Sequence, residues 1–243
     1  MGGFQLNQIE PLINKSLLSI SSSKTFPGFP NLTNDDLSNR QIALRNDPKL
    51  QTSYLDISFP TISESAPLKQ RITLGIVKAM LGNLRSSRLY RLLRQRRGLV
   101  YHVSFGSSLY HNFGFAYVSS QVNKENLEEV IRLISKELST FVKLGPTKEE
   151  LEIAKNYAIN QSLMQFDHPS GISSWIEGDL IWEDRIYTPE EYAKIIEKVS
   201  VRDVSDLVQN HFDFAKLNVV VQGPIEDSKV NKEKFASLVS EIR

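Results

Sequence analysis

Between Leu6 and Leu18 the apolar residues Leu6, Ile9, Leu12, Ile13 and Leu17 recur at three- and four-residue steps, the period of one face of a helix. The period then stops. Ser19 to Pro30 contains Ser21, Ser22, Ser23, Pro27, Gly28 and Pro30, the composition of a linker. We therefore expect residues 1–30 to be a terminal helix and linker from the end of a preceding domain, and residues 31–243 to form the main domain. Asn39–Asn46 alternates weakly and predicts a first strand. Gln51–Phe59 alternates well, with Leu55, Ile57 and Phe59 on one face. Pro60 and Pro67 are expected to bracket a loop.

Helical periods dominate after that. Pro67 opens one with Leu68, Ile72, Ile76, Ala79 and Met80, stopping near Gly82-Asn83. A second runs to about Arg96 with Leu89, Tyr90, Leu92 and Leu93 on its apolar side, and Ser86 or Ser87 as its expected cap. Arg88, Arg91 and Arg94 advance by three and should spiral around its polar side. Leu99–Leu109 and Phe113–Val122, aromatic and β-branched on either side of Tyr110-His111-Asn112, predict an antiparallel hairpin. Asn123 to Leu144 carries a long apolar stripe and ends at Gly145-Pro146. Thr147-x-x-Glu150 and Thr188-Pro189-Glu190-Glu191 read as capping boxes that open helices. Pro169–Trp182, Ser200–Phe212 and Val230–Ile242 predict three more helices, and Leu217–Gly223 a buried strand. Strands first, helices mostly later and one late strand give the fold class α+β, a largely antiparallel sheet with helices packed on one side.

Composition narrows the class. A chain of 243 residues, 40% hydrophobic and 23% charged, is long enough for a real core. It has no cysteine, which removes disulfides and thiolate zinc sites. No apolar run approaches the roughly 18–20 residues needed to span a bilayer, so no membrane partner is expected. Met1-Gly2-Gly3-Phe4-Gln5 lacks a secretory signal, and Leu6 stands where a myristoylation motif needs Ser or Thr. The compartment stays open, with a lean towards the cytoplasm. Charge is segregated: residues 65–124 hold no Asp or Glu and sum to +10, leaving −9 for the rest of a chain whose net charge is +1.

Candidate chemistry is sparse. His102, His111, His168 and His211 include no pair at four-residue spacing, and H-E-x-x-H and its inverse are absent, so no metal is expected in this chain. Phosphate-cradling G-x-x-x-x-G-K-[ST] and G-x-G-x-x-G are absent, as is the nucleophile elbow G-x-S-x-G. Six arginines between Arg85 and Arg97 resemble a phosphate-binding face. A pI of about 7.9, an acidic remainder and the lack of a helix-turn-helix or RNP motif argue against nucleic acid. The plain alternative is a solvated helix ion-paired to the acidic remainder.

Leu81 to Tyr101, read as Leu-Gly-Asn-x-x-Ser-Ser-Arg-Leu-Tyr-x-x-Leu-Arg-x-x-x-Gly-Leu-Val-Tyr, resembles the signature of the non-zinc-binding, C-terminal homologous domain of the pitrilysin/insulinase family, which includes the mitochondrial processing peptidases. Gln51 to Pro60, Gly145 to Lys155, Leu217 to Gly223 and the start at Gly2-Gly3-Phe4 also resemble family segments. The resemblance implies that family's metallohydrolase fold. It implies a zinc held on H-x-x-E-H in a partner half, either a preceding domain or a separate subunit, with this chain supplying an Arg and a Tyr seven residues apart across the cleft. These fall on Arg94 and Tyr101. The implied function is the substrate-binding, non-catalytic half of a zinc metalloendopeptidase that cleaves extended, unstructured peptides and is inactive alone. The alternatives are a degenerate member acting as a peptide-binding or assembly subunit and, behind that, nucleic-acid binding through the arginine helix.

Overall fold

The computed structural model describes residues 5–17 and 40–240. Five strands, β1 (Gln41–Asn46), β2 (Ser53–Thr61), β3 (Val100–Leu109), β4 (Gly114–Val122) and β5 (Asn218–Gly223), form one sheet in the order β1-β5-β2-β4-β3. Only the β1–β5 pairing is parallel; β5–β2, β2–β4 and β4–β3 are antiparallel. Alternation decides the buried face. Leu55, Ile57 and Phe59 of β2, Ala116 and Val118 of β4 and Val219 and Val221 of β5 are all buried, whereas the residues between them are half-buried or exposed. One face of the sheet thus meets the helices, as the sequence pattern requires.

The helices are α1 (Leu6–Leu17), α2 (Leu68–Lys78), α3 (Leu127–Leu144), α4 (Lys148–Met164), α5 (Pro169–Trp182), α6 (Pro189–Glu197), α7 (Val201–His211) and α8 (Lys229–Val239). The capping boxes form as the spacing predicts. Thr147 and Glu150 exchange bonds at the head of α4, and Thr188 and Glu191 at the head of α6; Ser200 and Asp203 do the same for α7. α3 buries Val130, Ile131, Ile134, Leu138 and Phe141. An aromatic group closes the core at the sheet, with Phe59 ring centroids 4.6 Å from Phe214 and 5.0 Å from Phe212.

Three local expectations change. Pro60 lies inside β2, opposite Phe115, and does not open a loop. It is tolerated because pairing with β5 ends at Ser58, so no ladder bond on that side needs an amide from residue 60. α2 continues past Lys78 as a π-wound turn, Ala79–Asn83, and the arginine helix is π-wound from Tyr90 to Arg96. Neither Ser86 nor Ser87 caps that helix: the Ser87 hydroxyl is buried without a partner among the described residues. The Ser- and Pro-rich linker expected through Pro30, the start at Gly2-Gly3-Phe4 and Asn39 at the head of the first strand lie outside the described residues.

Candidate functional site

The six arginines do different work. Arg88 points inward. It grips Glu150 with two nitrogens at 2.7 and 2.8 Å, donates to the Gly145 carbonyl at 3.1 Å, reaches Glu137 at 3.4 Å and lies 4.9 Å from the Phe141 ring centroid. This fork ties the arginine helix to the α3–α4 junction. It also shifts both groups. Partial burial alone would lower the Arg88 pKa, but the Glu150 carboxylate raises it. Burial would likewise raise Glu150, but Arg88 and the Thr147 amide lower it. Arg97 pairs with Glu129 at 2.6 Å near the surface. Among the described residues, Arg85, Arg91 and Arg96 make no ion pair.

Arg94 is the one directed at β3. The arginine helix ends at Gly98, whose φ of 61° is in the left-handed region that favours glycine. The amide of Leu99 returns to the Leu93 carbonyl at 2.9 Å, one residue wider than the usual six-to-one closure, as a π-wound helix demands. The chain then enters β3. Val100 opposes Val122 and His102 opposes Gln121, so Tyr101 is the extra residue of a β-bulge with no cross-strand partner. A bulge re-aims a side chain; Tyr101 is 75% exposed, although it sits in a strand. Arg94 Nη1 donates to the Val100 carbonyl at 3.0 Å, and its guanidinium carbon lies 5.1 Å from the Tyr101 ring centroid. The carbonyl and the ring together hold the guanidinium in place, while its remaining N–H groups and the Tyr101 hydroxyl are left as donors. The structure therefore brings Arg94 and Tyr101 together at one exposed corner, and among the described residues no acidic side chain is bonded to either.

Sequence reasoning missed the bulge and the Val100 carbonyl that orients Arg94. The signal for the bulge is present. The buried positions run Val100, Val103, Phe105, a step of three followed by a step of two, and a regular strand steps only by two.

The four histidines lie on separate elements. His102 is on β3, His111 is in the β3–β4 turn stacked 5.8 Å from Trp182, His168 precedes α5, and His211 ends α7. Among the described residues no three His, Asp or Glu side chains converge as a metal would need. No helix among them is long and apolar enough to cross a membrane.

Comparison with known proteins gives a consistent result. The family described as peptidase M16 inactive domain matches residues 1–157. The chain is 24% identical over 190 residues to mitochondrial-processing peptidase subunit alpha-2 of Dictyostelium discoideum, covering 78% of this chain and 41% of that protein. It is 26% identical over 171 residues to an uncharacterized zinc protease of Mycobacterium tuberculosis, covering 70% of this chain and 39% of the relative. The chain thus spans well under half the length of these curated relatives. A peptidase M16 inactive domain from Pseudomonas fluorescens superposes with a TM-score of 0.78 at 18% identity, over 94% of this chain and 53% of that one.

Proposed function

This chain belongs to the peptidase M16 inactive-domain family, and from that premise we propose that it is the substrate-binding, non-catalytic half of a zinc endopeptidase acting on extended peptides. Its partner is a homologous zinc-bearing domain or subunit. The relatives' greater length leaves room for such a half, and the names of several of them include zinc protease. The observation that carries the reading is the Arg94–Tyr101 corner. A guanidinium and a phenol, held side by side on a bulge and free of carboxylates, can both donate to a peptide carbonyl oxygen. Their bonds strengthen as that oxygen gains charge during attack, which stabilises the transition state more than the bound substrate. The metal chemistry itself belongs to the partner half.

The test mixes this chain with its zinc-bearing half and follows cleavage of an unstructured peptide. Arg94→Ala and Tyr101→Phe should each lower kcat by about a hundred- to a thousand-fold with little change in KM. Wild-type turnover in both variants would refute the role. Peptide binding without cleavage by the wild-type pair would identify a peptide-binding or assembly subunit instead.

A further inference from the structure

The helical layer holds an open pocket of about 480 Å³ between α2, α4, α5 and α6, and none of its lining residues belongs to the Arg94–Tyr101 corner. Its size lies within the range of small-molecule sites. Two glycines show that the space is open. A Cβ built on Gly75 of α2 or Gly178 of α5 would meet no heavy atom within 4 Å, and both residues line the cavity. Trp175 and Trp182, the only tryptophans in the chain, contribute to its walls. Trp175 is fixed by a bond from its Nε1 to the Tyr187 carbonyl at 2.9 Å and by contact with the Tyr192 ring at 4.4 Å.

The charges along the wall are unequally satisfied. Arg71 is held by Glu64 at 2.8 Å and by Glu183. Asp179, almost fully buried, accepts the Tyr187 amide at 2.8 Å and the Tyr192 hydroxyl at 3.4 Å. Among the described residues, the Lys78 ammonium has no hydrogen-bond or ion-pair partner. Burial holds its amine below the usual lysine range, and the Glu64 charge, already bonded to Arg71, only partly offsets this. The cavity therefore presents aromatic walls and one cationic donor that lacks an acceptor. Unpaired charge in such surroundings is unfavourable, and an anion beside Lys78 would relieve it.

We propose that this cavity binds a small aromatic monocarboxylate, with the carboxylate on the Lys78 ammonium and the ring against Trp175 and Trp182. The same chemistry could arrive as a free acid or as the C-terminal aromatic residue of a peptide. The cavity is separate from the corner assigned to peptide cleavage, so the two readings stand or fall independently.

The full chain carries its own probe, because both tryptophans line the site. Titration with 3-phenylpropionate, whose ring does not absorb where indole is excited, should change the fluorescence saturably. The neutral 3-phenylpropionamide should bind about tenfold more weakly or worse, the loss expected for one charge-assisted bond. Lys78→Met should remove the preference for the acid over the amide. Gly178→Leu should fill the cavity and abolish the response to both, while circular dichroism confirms a folded chain. Gly75→Leu fills the space from the opposite wall if the first variant does not fold. A pentaglycyl-phenylalanine with a free C-terminus separates the sources. Binding as tight as the free acid supports a peptide end, and loss of binding supports a free acid. No saturable change at millimolar acid, equal affinity for acid and amide, or unaltered binding by a folded Gly178→Leu would overturn the proposal.

Discussion

Arg88→Met is the sharpest test of how the arginine segment divides between building and acting. The substitution keeps the length of the stem but removes the two short bonds to Glu150, the bond to Gly145 and the contact with Glu137. The three side chains are only 15–22% exposed. The cluster therefore lies between a surface pair worth about 0–1 kcal/mol and a buried pair whose breakage costs about 3–5 kcal/mol. An intermediate loss of about 2–3 kcal/mol corresponds, for a chain of this size, to a Tm lower by about 4–12 °C. The pH dependence has a definite sign. Glu150 has a folded pKa below its ordinary 4.5, so the stability it draws from Arg88 is present above that value and lost as pH falls below it. Thermal melts followed by circular dichroism should therefore show a large gap between wild type and variant at neutral pH and a smaller one in acid. Arg94→Met, which loses one bond to Val100 at an exposed corner, should melt close to wild type. An Arg88→Met Tm within about 2 °C of wild type at neutral pH, or an Arg94→Met as damaging, would refute the division.

Three further substitutions probe the frame. Gly82→Ala would place its Cβ 2.2 Å from the Phe105 backbone nitrogen and 2.8 Å from the Ser104 carbonyl carbon, so neither neighbour can yield cheaply. A loss of about 3 kcal/mol or more is expected in urea denaturation, whereas Gly75→Ala, in open space on α2, should be neutral or stabilising by up to about 1 kcal/mol. Asp203 would be raised by its partial burial, but the Lys69 ammonium and the Ser200 hydroxyl and amide hold it at about 2. Its contribution is present above its ordinary 3.8 and lost as pH falls towards about 2. Asp203→Asn should cost about 1 kcal/mol at neutral pH and flatten the acid limb of a pH–stability curve.

What the sequence revealed was what depends on near neighbours. The stripe of α3 is a run of apolar residues on one turn-to-turn face, and each capping box is a bond between residues three apart, so both are written locally. The end of the arginine helix near Arg96 was legible for the same reason. Other features depend on residues far along the chain. Arg88 and Arg91 look equivalent in sequence, and only the arrival of Glu137 and Glu150 from α3 and α4 separates them. π winding leaves no pattern that an arginine every third residue could betray. The serine pair suggested a cap, yet the route into the helix leaves the Ser87 hydroxyl unpartnered. Arg94 and Tyr101 were chosen by motif, but their contact comes from the bulge and the Val100 carbonyl.

The position of β5 has a kinetic consequence. β1 and β2 are consecutive in the chain but not neighbours in the sheet, because the last strand sits between them. During synthesis, β3 and β4 can pair as a local hairpin, and β4 can take β2 on its other side, long before residue 218 emerges. Until then β2 has one open side and β1 has no partner at all. Contacts of such long sequence separation form slowly, and an unpaired apolar strand is a template for another chain. A chain interrupted before Asn218 would thus retain an ordered part of the sheet with Leu55 and Ile57 on a sticky margin, which makes the final strand a seal against self-association as well as a part of the core.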